Sequence, residues 1–255
     1  MRLIAHLLIS VLALLAAEPP GRAAPPSERP VAPPPGHLAS APPERISALA
    51  PEDRCHLNGL AMVEGKPRFV TALGQGDAFN AWRDRKRDGG ILIDIDSNKI
   101  VVGGLSMPHS PRWYNGELWV LESGNGGIGI VDPRTGKYRP LTELPGFTRG
   151  LDFFGRYAFV GLSQVRETAV FSGIALTDRP AERNCGVWVV DIATGQTVAC
   201  LRFEDAVQEI FAVQVLPGLR SPDLINEDAD IMGNSFVLPD DSLADVAESF
   251  RASPK

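Results

Sequence analysis

Four polar residues stand where apolar runs begin along the middle of the chain: His56 in RCHLNG, His109 in MPHSPRW, Arg149 in FTRG and Glu209 in VQEIF. Two imidazoles, a guanidinium and a carboxylate brought together could hold a divalent metal, bind an anionic group or carry out acid–base work. The metal reading uses His56, His109 and Glu209 as ligands of a divalent ion; the sequence names no cofactor otherwise, and its identity stays open. The plainer alternative is that all four cap strand ends and line a wet channel with ordered water. Asn58 and Arg112 flank the two histidine phrases. Three further pairs could form a second layer: Trp82 with Arg83, Arg112 with Trp113, and Arg166 with Glu167. An aromatic beside an arginine suits a planar or anionic ligand. The run Arg83 to Arg87, between Asp84 and Asp88, reads first as a solvated loop.

The elements that must position these residues are short strands. From Arg54 onward, alternating apolar runs are broken by Gly, Asn and Asp at regular intervals. LAMVEGKPRFVTAL (60–73), RWYNGELWVLE (112–122) and LDFFGRYAFVGL (151–162) each place two strands about a turn, at Glu64-Gly65, Asn115-Gly116 and Gly155-Arg156. A second strand pair follows each hairpin, joined by turns built on Asp94, Asp132 and Asp191, whose carboxylates are expected to bond their own backbone. The unit is four antiparallel strands, the make-up of a β-propeller blade. Three units fit, and QEIFAVQVL (208–216) reads as the first strand of a fourth. The fold expected is all-β and propeller-like, with three four-stranded blades plus a partial fourth, short of a closed ring. Antiparallel connections alternate between two ends, so the tight turns share one face. The long connections, and with them His56, His109, Arg149 and Glu209, share the other. Trp119 and Trp188 sit mid-strand and belong to the core.

The flanks differ in kind. Residues 1–17 have the layout of a secretory signal, with an apolar run too short for a membrane span. Residues 18–50 are rich in Pro and Ala and expected to be disordered. Residues 51–222 form the propeller-like domain, and residues 223–255 an acidic tail with a short helix over Asp241 to Phe250. If the leader is real the protein is secreted or periplasmic; the alternative is cytoplasmic. A net charge of -6 and a pI near 5.3 argue against a nucleic-acid partner. Cys55, Cys185 and Cys200 are odd in number and widely spaced, which suggests buried free thiols rather than disulfides or a zinc site. No GxSxG, HExxH, P-loop or dinucleotide glycine pattern occurs. GNGGIG (124–129) reads as a turn, because no helix follows to hold phosphate.

The phrases RCHLNGLAM, VTALG, GLSMPHSPRW, LWVLESG, LPGFTRGLDF, FVGLSQVRE, CGVWVVD and EIFAVQVLPG resemble an uncharacterised bacterial family, domain of unknown function 4915, over about residues 46–224. The resemblance implies a propeller-like all-β fold and no established activity. It carries across His56, Asn58, His109, Arg112, Arg149, Arg166, Glu167 and Glu209 as matched positions without roles. Members of the family have a further β-rich stretch ahead of the RCHLNG phrase, where this chain has its proline-rich leader. An incomplete ring would leave sheet edges open to pairing between copies.

Three functions fit this reading. The first is a module binding a small polar ligand or a protein on the loop-rich face. The second is a metal-dependent hydrolase or lactonase-type enzyme with its site at the central channel. The third is a truncated, inactive remnant.

Overall fold

Period-two alternation between short turns resolves into twelve strands in the computed structural model, which describes residues 52–165, 172–179, 183–204 and 207–219. The leader, the linker, Arg166, Glu167 and the Asp241 to Phe250 stretch lie outside the described residues. One compact unit spans 13–214; a second joins 1–12 to 215–255 and is described only over 215–219, where Leu219 N–H donates to the Leu216 carbonyl at 3.3 Å.

The larger unit holds three four-stranded antiparallel sheets, each a simple meander. The first is β1 (Leu57–Val63), β2 (Lys66–Ala72), β3 (Gly90–Asp94) and β4 (Lys99–Leu105). The second is β5 (Pro108–Tyr114), β6 (Glu117–Glu122), β7 (Gly127–Asp132) and β8 (Lys137–Glu143). The third is β9 (Phe147–Phe154), β10 (Tyr157–Ser163), β11 (Cys185–Asp191) and β12 (Thr197–Phe203). The chain is thus all-β and propeller-like, and the three anticipated units are present.

Turn chemistry follows the sequence. Glu64 and Gly65 at φ 51° and 74°, and Asn115 and Gly116 at φ 50° and 78°, are consecutive left-handed pairs. That geometry matches the twist of the strands they join. Asp94 Oδ1 accepts from the Asp96 N–H at 3.0 Å, Asp132 Oδ1 from Arg134 at 2.9 Å and Asp191 Oδ1 from Ala193 at 3.0 Å. The three aspartates therefore close their own turns. Arg156 also pairs with Asp191 across the end of the third sheet. Arg156 is the chief cause, and backbone N–H groups a lesser one, that holds the Asp191 carboxyl below its ordinary value.

Strand alternation decides the core. In β6, Leu118 and Val120 face the first sheet and pack with Phe69, Leu92 and Leu105. Trp119 and Leu121 face the third and pack with Leu151, Val160 and Trp188. The middle sheet is buried on both sides, which is why β6 reads as an unbroken apolar run. A third cluster lies under the long connections, formed by Leu73, Trp82, Met107, Phe147, Val165, Ile174 and Leu176.

Two expectations need correction. Residues 208–214 form no strand ladder; this stretch is held by single bonds, with Ser163 Oγ donating to the Ile210 carbonyl at 3.2 Å and Gln164 N–H to the Gln208 carbonyl at 2.9 Å. Of the three thiols only Cys185 is buried; Cys55 is half-buried and Cys200 is exposed, on β12, which among the described residues pairs on one side only.

Candidate functional site

The innermost strands β1, β5 and β9 carry the candidate residues at their loop ends, and each is bulged there. Asn58-Gly59 opposes Thr71, Ser110-Pro111 opposes Val120, and Arg149-Gly150 opposes Gly161. A bulge gives one strand an extra residue and re-aims the side chains around it. Gly161 tolerates this because a Cβ there would lie 2.3 Å from the Arg149 carbonyl.

The bulges also correct the register. Leu57, His109 and Thr148 are the residues immediately before the bulge, and Asn58, Ser110 and Arg149 begin it. His56, His109 and Arg149 are therefore offset by one residue each rather than equivalent. The bulged residues reach to the next repeat. Asn58 Nδ2 donates to the Pro108 carbonyl at 3.0 Å, Ser110 Oγ accepts from Gly150 N–H at 3.0 Å, and the Arg149 guanidinium lies over the Phe211 ring at 4.1 Å.

His109 is the most buried member of the set. Its side chain is buried, its ring meets Phe147 edge-on at 5.5 Å, and both of its hydrogen bonds run through Nδ1, to Met107 O and Ser123 Oγ at 2.9 Å each. A carbonyl can only accept, so Nδ1 carries the proton and Nε2 presents a lone pair. Ser123 passes the chain on by donating to the Thr148 carbonyl at 2.5 Å. Burial first, then the positive charge of Arg149, pushes the His109 pKa down to about 3; the Met107 bond opposes this and His56 adds to it. At neutral pH His109 is an uncharged hydrogen-bond acceptor.

His56 has φ 51°, and its Nδ1 meets Asp53 Oδ1 at 2.9 Å. Asp53 Oδ2 accepts from Trp82 Nε1 at 3.0 Å, and the His56 and Trp82 rings lie 4.8 Å apart. The carboxylate thus orients the imidazole and leaves Nε2 outward, the arrangement of an acid–base pair. Asp53, Ser123 and Phe211 were not singled out in the sequence. Asp53 alone offered a signal, as an acid three residues before a histidine.

Arg149 and Arg112 are half-buried, and burial lowers both guanidiniums from their ordinary value, offset by Glu209 for Arg149 and Asp152 for Arg112. Among the described residues neither is within ion-pair distance of a carboxylate; Arg112 donates only to the Pro111 carbonyl, at 2.9 Å. Glu209 is exposed.

Other candidates settle differently. Asn58 has both ends engaged, since its Oδ1 also accepts from Thr71 Oγ1 at 2.7 Å, so it staples β1 to β5 rather than facing a ligand. His56, His109 and Glu209 are not gathered into a ligand set: no group of three such donors fit for a metal occurs among the described residues. Bonding through Nδ1 would itself suit a metal ligand; what the trio lacks is convergence, with Glu209 out on the surface. Trp82 is buried, and Arg83 stacks on it at 4.7 Å. The run Arg83 to Arg87 is solvent-exposed at Asp84, Arg85 and Arg87, and it is also tied down. Arg83–Arg85 form a short 3-10 turn, and Arg87 is latched to the Gly173 carbonyl at 2.7 Å and to Asp178.

Three meander sheets with bulged inner strands and polar groups at one end define an all-β, propeller-like protein. Residues 40–225 match the family described as Domain of unknown function (DUF4915), and the chain belongs to that family. No curated protein matches it. Among solved structures it is similar to the computationally designed Ika4 protein, at 17% identity and TM-score 0.37, over 63% of this chain and 79% of that one. The designed Ika8 protein is similar at 16% identity and TM-score 0.35, over 62% and 39%. The hydrazine synthase of Kuenenia stuttgartiensis is similar at 14% and 0.36, over 60% and 38%. The chain spans well under half the length of the last two. No helix among the described residues is long and apolar enough to cross a membrane.

Proposed function

We propose that this protein is a binding module whose loop-rich face takes a small anionic molecule, one bearing a carboxylate or phosphate. The observation that carries the reading is Arg149: a half-buried guanidinium, stacked on Phe211, with no carboxylate in ion-pair reach among the described residues. A desolvated charge without a partner is costly, and an incoming anion supplies the partner. His109 Nε2 accepts a hydrogen bond from a hydroxyl or N–H of the same molecule, and His56 closes the site from the side of β1. The acidic net charge keeps nucleic acid out of the candidate set.

The test is a thermal-shift screen of the full chain against inorganic phosphate, citrate and a panel of short carboxylic acids, followed by calorimetry. At least one anion should bind, and Arg149→Met should weaken it by about 10- to 100-fold, the worth of a charged hydrogen bond. Absence of any stabilising anion, or undiminished affinity in Arg149→Met, refutes the reading.

A second reading rests on the Asp53–His56 pair. An imidazole oriented by a carboxylate suits a general base acting on water beside a bound ester or lactone. It needs no metal trio. Turnover of a lactone and nitrophenyl-ester panel, abolished in His56→Gln, would support it; the same background rate in wild type and variant would exclude it.

A further inference from the structure

A cavity of about 710 Å³ lies at the opposite face, between the first and second sheets on the tight-turn side. That volume falls within the range of small-molecule sites, about 300–1,000 Å³. Trp113, 37% exposed, forms its wall and stacks on Phe69 at 6.3 Å with the rings 22° apart. The Arg68 guanidinium also lies over the Phe69 ring, at 5.5 Å.

The next seam shows that this opening is not a consequence of the repeat. Trp113 pairs with Leu118 and Phe153 with Ala158, so both stand one step before their hairpin turns. Phe153 is covered. Tyr114 stacks flat on it at 4.4 Å, Trp119 packs at 5.3 Å, and the Tyr114 hydroxyl closes the seam by donating to the Gly155 carbonyl at 2.8 Å. The same position is sealed between the second and third sheets and left open between the first and second.

The charges around the opening limit what can enter. Arg68 is pinned by Asp96 and by Asp94 at 2.9 Å. Arg134 stands 3.7 Å from Asp132, and Glu117 stands 3.6 Å from Arg139. Glu64 and Lys66 also line the opening, so the rim mixes carboxylates with basic groups, rich in donors and acceptors but without a dominant sign. An anion or a cation finds no net attraction there. A neutral polyhydroxylated molecule finds an indole face for its C–H surface and hydrogen-bonding groups on both sides.

We propose that the groove between the first two sheets, with Trp113 as its platform, is a binding site for a neutral oligosaccharide. The inference is independent of the loop-face site.

The protein carries its own probe. Trp82, Trp119 and Trp188 are buried, so Trp113 is the half-exposed indole of the four. The experiment titrates the full chain with cellotriose, maltotriose and chitotriose, and screens it on an array of neutral and charged glycans, reading tryptophan emission and its quenching by acrylamide. A saturable emission change with protection from quenching is expected for at least one neutral glycan. Trp113→Ala should abolish the emission change and weaken array binding by about tenfold or more. Trp113→Tyr should retain much of the binding, and Arg149→Met should leave it unchanged. A normal melting transition in Trp113→Ala separates lost binding from lost fold, and Glu117→Lys, which unbalances the rim, should weaken binding without touching the platform. No neutral glycan bound, binding of charged glycans alone, or binding that survives Trp113→Ala overturns the proposal.

Discussion

His109 carries the clearest consequence at the scale of a residue. The folded chain holds it neutral with a pKa near 3, whereas an exposed imidazole titrates near 6.5. The unfolded chain therefore binds the extra proton first. The stability that His109 contributes is complete above about pH 6.5 and is lost as pH falls towards 3, to the extent of a few kcal/mol. Urea unfolding at pH 7 and pH 4.5 should show this loss. His109→Asn, which keeps a donor towards Met107 O but does not titrate, should be less stable at pH 7 by about 1–3 kcal/mol and less sensitive to acid. Equal acid sensitivity in the two proteins would assign the effect to other groups. His109 was legible in the sequence as a candidate; its neutrality was not, because desolvation comes from Phe147 and from neighbours distant along the chain.

Glycine placement tests the strand and bulge geometry at the scale of an element. Gly150 sits at φ 80° in the β9 bulge, where a Cβ would lie 2.8 Å from the Ala212 backbone. Gly65 has a similar φ of 74° in the β1–β2 turn but nothing within 4 Å. Thermal denaturation should find Gly150→Ala destabilised by about 1–3 kcal/mol and Gly65→Asn within about 0.5 kcal/mol of wild type. Similar losses in both would mean that the turn, rather than the close approach of residues 208–214, is the sensitive point. The hairpins and the aspartate turns were readable from Asn115-Gly116 and from Asp132 because their chemistry is local. The bulges were not, since an extra residue is visible only against the strand it faces, and the one-residue offsets among His56, His109 and Arg149 follow from that.

The scale of the whole molecule adds the sheet edges. Leu57, Leu60 and Met62 on β1 are exposed, as are Val198 and Leu201 on β12, which among the described residues has a partner on one side only. Open apolar strands pair with other copies. Sedimentation across a wide dilution series should show a mass that rises with concentration, and Leu60→Lys should reduce it; a constant monomer mass would rule this out.

Period-two alternation and turn residues by themselves determined three four-stranded units, an all-β propeller-like fold and the end at which the long connections gather. These depend on contacts between residues near in sequence, so the sequence alone carries them. Only the tertiary structure decided which polar residues keep a free valence. Asn58 spends both ends on Pro108 and Thr71, and His109 turns Nδ1 inward to Ser123, while Arg149 has only an aromatic ring beneath it. It also decided that the seam at Trp113 stays open while the seam at Phe153 is sealed. Both outcomes depend on partners in neighbouring sheets, and no pattern along one strand records them.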